Sequence, residues 1–168
     1  VSLDGRAEQV WALFGPENQS MRGELAARMQ AGGTLAHLTL DGGFEMKDGA
    51  YEHGETGLLL DGIDAEGVFK QQSAQVTKFE GTGGNGGRLT AQGALDWTGD
   101  VSGKISFDAR QLRALGRDDR FAIVSGQGAL ELVRENIAVT GDFNIEEARI
   151  SVEQPAAANI PTLPGLRR

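Results

Sequence analysis

Residues 88–97 read Arg88-Leu89-Thr90-Ala91-Gln92-Gly93-Ala94-Leu95-Asp96-Trp97, with Leu89, Ala91, Leu95 and Trp97 on one parity and Arg88, Thr90, Gln92 and Asp96 on the other. A β-strand points successive side chains to opposite faces, so this stretch is a strand with one apolar and one wet face. After Gly99-Asp100 the pattern restarts, setting Val101, Ile105 and Phe107 against Ser102, Lys104, Ser106 and Asp108. It returns as Ile137, Val139, Phe143 and Ile145 against Thr140, Asp142, Asn144 and Glu146. Strand after strand, the second half of the chain builds an apolar surface.

Working outward, Leu38, Leu40, Phe44 and Met46 share a parity, and 22–30, 57–69 and 74–80 read as further strands. Asp48-Gly49 predicts a two-residue hairpin, because a type I′ turn needs two positive φ angles that Asp and Gly tolerate. At Glu146-Glu147 the parity flips: Ile145 is apolar on odd numbering, and Ala148, Ile150 and Val152 continue on even. One extra residue does this, so a β-bulge or a short bend is expected there. Only Ala7, Val10, Trp11 and Phe14 have helical spacing, ended by Gly15-Pro16, which predicts a two-turn helix closing one end of the sheet. The expected total is nine to eleven strands. The fold class is all-β: a long curled sheet, antiparallel or mixed, with an apolar interior and at most one short N-terminal helix.

Composition narrows the function. The chain has 168 residues and 25 glycines, about twice the average usage of about 7%. They lie between strand patterns without a collagen period, so they read as turns and bulges. Three of the four prolines, Pro155, Pro161 and Pro164, fall near the C-terminal end. The expected organisation is an N-terminal strand and short helix over 1–20, a sheet domain over 21–153, and a linker or tail over 154–168 of a larger protein. A net charge of −8 argues against nucleic acid, whose phosphates demand a basic stripe. Without cysteine there is no disulfide or thiolate chemistry.

No catalytic constellation is visible. Gly81-Thr82-Gly83-Gly84-Asn85-Gly86 matches G-x-G-x-x-G, but that fingerprint works only when it opens a helix, and here it opens the strand 88–97. His37 and His53 lack partners at metal-ligand spacing. Ser125 lacks the first glycine of a nucleophile elbow, and Asp118-Asp119 lacks a repeated calcium signature. Arg110, Arg113, Arg117 and Arg120 read as a solvated loop. The expectation is a chain that is not an enzyme and carries no cofactor or metal.

The order of several short motifs resembles a family. Gly33-Thr34-Leu35-Ala36, Phe44, Asp48-Gly49-Ala50-Tyr51-Glu52 and Gly86-Gly87-Arg88-Leu89-Thr90-Ala91-Gln92-Gly93 are similar to the C-terminal conserved region of TamB, within the AsmA-like superfamily. Arg117-Asp118-Asp119, Ser125-Gly126 leading to Leu130, and Gly141 leading to Ala148-Arg149-Ile150 continue the match, across 21–152. A proline that often follows the Gly-Thr-Leu segment is replaced by Ala36-His37. The resemblance implies a β-taco, a sheet folded along its length around an apolar trough, in the periplasmic part of an inner-membrane-anchored protein of diderm bacteria. It also implies phospholipid movement toward the outer membrane, outer-membrane protein assembly and secretion with the barrel partner TamA.

On that reading phospholipid acyl chains lie along Leu38, Leu40, Phe44, Met46, Leu89, Ala91, Leu95, Trp97, Val101, Ile105, Phe107, Phe121, Ile123, Ile137, Val139, Phe143 and Ile145. Aromatics make up only 6% of the chain, and medium-sized side chains leave a trough open more readily than stacked rings do. The rival is an ordinary filled sandwich or barrel, or a docking module that binds partner strands by edge pairing. Unpaired sheet edges would also invite self-association.

Overall fold

Strand follows strand in space as it does in sequence, with helix α1 between the first two and short connections between the rest. The computed structural model describes residues 2–34, 37–134 and 136–151. Nine strands form one sheet in the order β1 to β9: Ser2–Arg6, Gln19–Thr34, His37–His53, Leu58–Gln71, Ser73–Gly83, Arg88–Asp96, Ser102–Gly116, Arg120–Val133 and Asn136–Ile150. Every neighbouring pair is antiparallel, so no parallel component exists among the described residues. β1 and β9 are not paired with each other, and the sheet does not close. Among the described residues there is one helix, α1 (Ala7–Phe14), which follows β1 and stands where its three- and four-residue spacing puts it. The segment 154–168 lies outside the described residues.

The curl has a visible cause. Register shifts interrupt β2 at Arg22/Glu24, β3 between Met46 and Tyr51, β4 at Asp61/Asp64, β5 at Val76/Phe79 and β7 between Ala109 and Leu115. A bulge bends its strand and increases the local twist, and a row of them bends the whole sheet. Asp48-Gly49 belongs to this row rather than to a hairpin. Asp48 takes φ +48° inside β3, and the chain runs on to His53. Residues that tolerate positive φ serve a bulge as well as a turn. The bulge expected at Glu146-Glu147 is present: Ile123 pairs with Glu147, Val124 with Ile145, and Glu146 is the extra residue.

Polar side chains on the outer face satisfy the amides and carbonyls that the bulges free. The Gln111 amide, at φ +49°, donates to Ser125 Oγ at 2.8 Å, and the Ser125 hydroxyl donates to Glu146. The Gln111 carbonyl accepts from Asn85 Nδ2 at 2.7 Å. The glycine-rich segment holding Asn85 is the β5–β6 hairpin, closed by Gly83 N–H to Gly87 O at 2.6 Å.

Along both rims the hairpins lean on one another. On one rim Gly116 N donates to Thr56 O at 2.9 Å, and Arg117 reaches Gly54 O at 2.9 Å. On the other, the Trp97 amide donates to Gln72 O at 2.9 Å and its indole Nε1 to Leu38 O at 3.2 Å.

Candidate functional site: an apolar face, half packed and half bare

Residues paired across antiparallel strands share a face, so the register defines the inner wall. Leu25, Met46, Ala65, Phe79 and Ala91 are linked partner to partner across β2 to β6. Phe107, Gly128 and Gly141 continue the same row across β7 to β9. The proposed lipid-facing residues Leu38, Leu40, Phe44, Met46, Leu89, Ala91, Leu95, Ile105 and Phe107 lie on this inner face by register. So do Ile137, Val139, Phe143 and Ile145 on β9. Trp97 and Val101 sit just outside β6 and β7, at the rim. Phe121 and Ile123 do not join them. Their partners are Arg149 and Glu147, and the Arg149 guanidinium lies 5.4 Å over the Phe121 ring, on the outer face.

One section of the inner face is packed. Met46, Leu60, Ile63, Ala65, Ala109 and Leu112 are buried together with Ala7 of α1. Leu60 and Ile63 on β4 cluster with Leu112 on β7 across β5 and β6, where Gly81 and Gly83 of β5 leave room: a Cβ at Gly81 would touch Ile63, and one at Gly83 would press on Leu112. At the β1 end α1 covers the face. The Trp11 ring meets Tyr51 edge-on at 6.1 Å, and its Nε1 donates to Gln19 O at 3.1 Å. The Tyr51 hydroxyl donates to Gln19 Oε1 at 2.8 Å, and partial burial raises its pKa, so the phenol stays protonated as a donor.

The rest is bare. From Phe44 on β3 to Ile137 on β9 runs an open groove of about 410 Å³ with an almost wholly apolar wall, lined by Ala74, Val76, Leu95, Ile105, Leu130 and Leu132 between them. Exposure rises toward the far edge, from 39% at Ile105 to 60% at Val139 and 70% at Ile137. No described element covers this wall. Phe107 and Phe143 stack at 5.9 Å over Gly128, where a Cβ would strike both rings. Ala74, Val76, Leu130 and Leu132 were not anticipated as lining. The signal was available for β8, since Ala129-Leu130-Glu131-Leu132 fixes its apolar parity as even.

The outer face is polar over most of its area, interrupted by Leu59, Val68, Phe121, Ile123 and Val133, and carries cross-strand pairs such as Lys104 to Glu131 at 2.5 Å and Arg88 with Glu80. Exposed pairs of this kind contribute about 0–1 kcal/mol and mainly keep the convex side in water. The sheet therefore presents an apolar trough inside a mostly polar shell.

A family model described as TamB C-terminal domain matches residues 77–165. The chain belongs to the TamB C-terminal domain family. No curated protein and no solved structure matches it. Membership assigns TamB a role in the translocation and assembly module of the diderm envelope, with a TamA-like partner suggested by the family. The matched residues begin within β5 and take in every strand of the bare groove from β6 onward. Among the described residues no helix is long and apolar enough to cross a membrane.

Proposed function

We propose that this TamB segment is a non-catalytic, periplasmic portion of an inner-membrane-anchored protein whose inner wall holds phospholipid acyl chains on their way to the outer membrane. One observation carries the reading: the apolar face shared by β6, β7, β8 and β9 stays open to solvent in a sheet whose outer face is mostly polar. Soluble proteins rarely leave a large contiguous apolar patch bare unless something binds there. Apolar contact contributes about 25 cal/mol per Å² removed from water, so an acyl chain lying along this wall is held without a polar anchor. The headgroup would stay outside the trough, and recognition would be broad.

The test is photo-crosslinking with a phospholipid whose acyl chain carries the reactive group, followed by mapping of the labelled peptides. Labels on β6 to β9 at Leu95, Ile105, Leu130 or Val139 support the groove. Labels confined to outer-face residues, or none, overturn it.

A second reading rests on β9, whose whole length from Asn136 to Ile150 is exposed. Such an edge accepts a partner strand by β-augmentation, and a strand of TamA or of an outer-membrane protein in assembly would suit it. The two readings are compatible, since an added strand would lengthen the same trough.

A further inference from the structure

We propose that α1 is a displaceable cover over a further, hidden stretch of the acyl-binding wall. The proposal rests on the groove reading above and extends it. Phe44 lines the bare groove, and Met46, two residues along the same strand and on the same face, lines a separate pocket beneath α1. That pocket, of about 150 Å³, is walled by Val10 and Trp11 on the helix side and by Met21, Leu25 and Met46 on the sheet side. The apolar wall thus continues under the helix, and α1 occupies ground that an acyl chain would otherwise cover.

The helix is weakly held. It has eight residues, its N-cap Arg6 makes no side-chain cap, and no basic residue stands in its last turn. Isolated helices this short are unstable in water, so α1 persists through its contacts alone. The pocket beneath shows those contacts to be incomplete. The anchor is Trp11, seated between Tyr51 and Gly15 and tied to the Gln19 carbonyl. Gly15-Pro16 follows the helix and supplies a pivot: the glycine leaves the indole room, and the proline stops the helix from extending. An acyl chain advancing past Phe44 onto Met46 competes with Val10 and Trp11 for one surface. A cover closed most of the time lowers apparent affinity by the open fraction, which its removal restores.

Gly15 offers a direct test. Its φ of −76° suits any residue, but a Cβ there would land on the Trp11 indole. Gly15→Val therefore expels the cover's anchor without straining the backbone. The chain has two tryptophans, so Trp97→Phe leaves Trp11 as the sole indole, and Trp11→Phe leaves Trp97. With Trp97→Phe, stearate titration should shift Trp11 emission to the red as the indole enters water. With Trp11→Phe, stearate brominated at mid-chain should quench Trp97 at the groove rim. Gly15→Val and, independently, Trp11→Ala should each raise stearate affinity by about fivefold, with circular dichroism showing the sheet intact.

If Trp97 is quenched while Trp11 emission stays put and both variants bind as the parent does, the cover is overturned and the groove stands. If neither indole responds, groove and cover fall together. Trp11→Ala adds no volume, so it decides the matter even where Gly15→Val unfolds the chain.

Discussion

Ile63 and Ile105 point into the same side of one sheet, yet Ile63 is fully buried and Ile105 is 39% exposed. Both are isoleucines on strands, Ile63 within the β4 bulge and Ile105 in a regular ladder. The difference lies in what stands opposite: Leu60, Leu112 and Met46 close over Ile63, and no described element closes over Ile105. A carboxylate at each position should therefore behave in opposite ways. Ile63→Asp buries an unpaired charge and should unfold the chain, and the milder Ile63→Ala should cost about 2–5 kcal/mol in denaturant titration. Ile105→Asp and Val139→Glu should leave the circular dichroism unchanged and lower the denaturation midpoint only slightly, while abolishing acyl crosslinking. Unfolding of Ile105→Asp would show that the wall is a core in solution.

The row of bulges can be tested through its outer-face hydrogen bonds. Ser125→Ala leaves the Gln111 amide without its acceptor and leaves Glu146 held by the Gln111 side-chain amide alone. The expected cost is about 1 kcal/mol. The informative readout is local: amide exchange in β8 and β9 should accelerate near residues 123–126 and 144–147, while the β2–β3 ladder keeps its protection. A uniform acceleration across all strands would mean that this cluster stabilises the sheet globally and has no special hold on the β9 bulge.

A third expectation concerns the end of the groove at β3. The Phe44 ring lies over Gly67 and meets Phe69 at 5.4 Å. A side chain at position 67 would drive that ring into the trough. The same Cβ would press on the Gln75 carbonyl of β5, so Gly67→Val should cost about 3 kcal/mol, loosen the β4–β5 ladder locally and shorten the usable wall. Titration with saturated fatty acids of increasing length should then show tight binding ending at a shorter chain than in the parent. An unchanged length cut-off would place the acyl chain away from Phe44.

Much of this was legible in the sequence, for identifiable reasons. Strict alternation in 88–97 and 136–145 marks the strands and their inner faces, and the parity flip after Ile145 points to an irregularity at Glu146-Glu147, where the bulge lies. The misreadings have equally local causes. Asp48-Gly49 satisfies both a hairpin and a bulge, and only long-range pairing with β2 and β4 decides between them. Phe121-Ala122-Ile123-Val124 is apolar at every position, which erases parity and let the two larger side chains be assigned to the wrong face. The division into packed and bare sections was out of reach. It depends on Gly81 and Gly83 standing between Leu60, Ile63 and Leu112 in space, which no single strand's pattern records.

The two edges of the sheet differ, and the difference predicts a stoichiometry. β1 is five residues long, covers β2 only from Glu24 to Arg28, and gives way at once to α1. β9 spans fifteen residues with its entire length exposed. Within it Asn136-Ile137-Ala138-Val139-Thr140-Gly141-Asp142-Phe143-Asn144-Ile145 carries neither lysine nor proline, the residues that usually blunt an edge. Two copies pairing antiparallel about Gly141 would set Ile137 against Ile145 and Val139 against Phe143 on the inner face. Asp142 would then oppose Thr140, so no like charges meet. The short β1 edge does not propagate the ladder, so the expected product is a dimer. Sedimentation should show a concentration-dependent monomer–dimer equilibrium, and exchange protection should appear in β9 as the dimer forms. Val139→Lys, which points a charge into the joined trough, should hold the chain monomeric. A parent that stays monomeric at millimolar concentration, or one that grows into long oligomers, would contradict pairing through this edge.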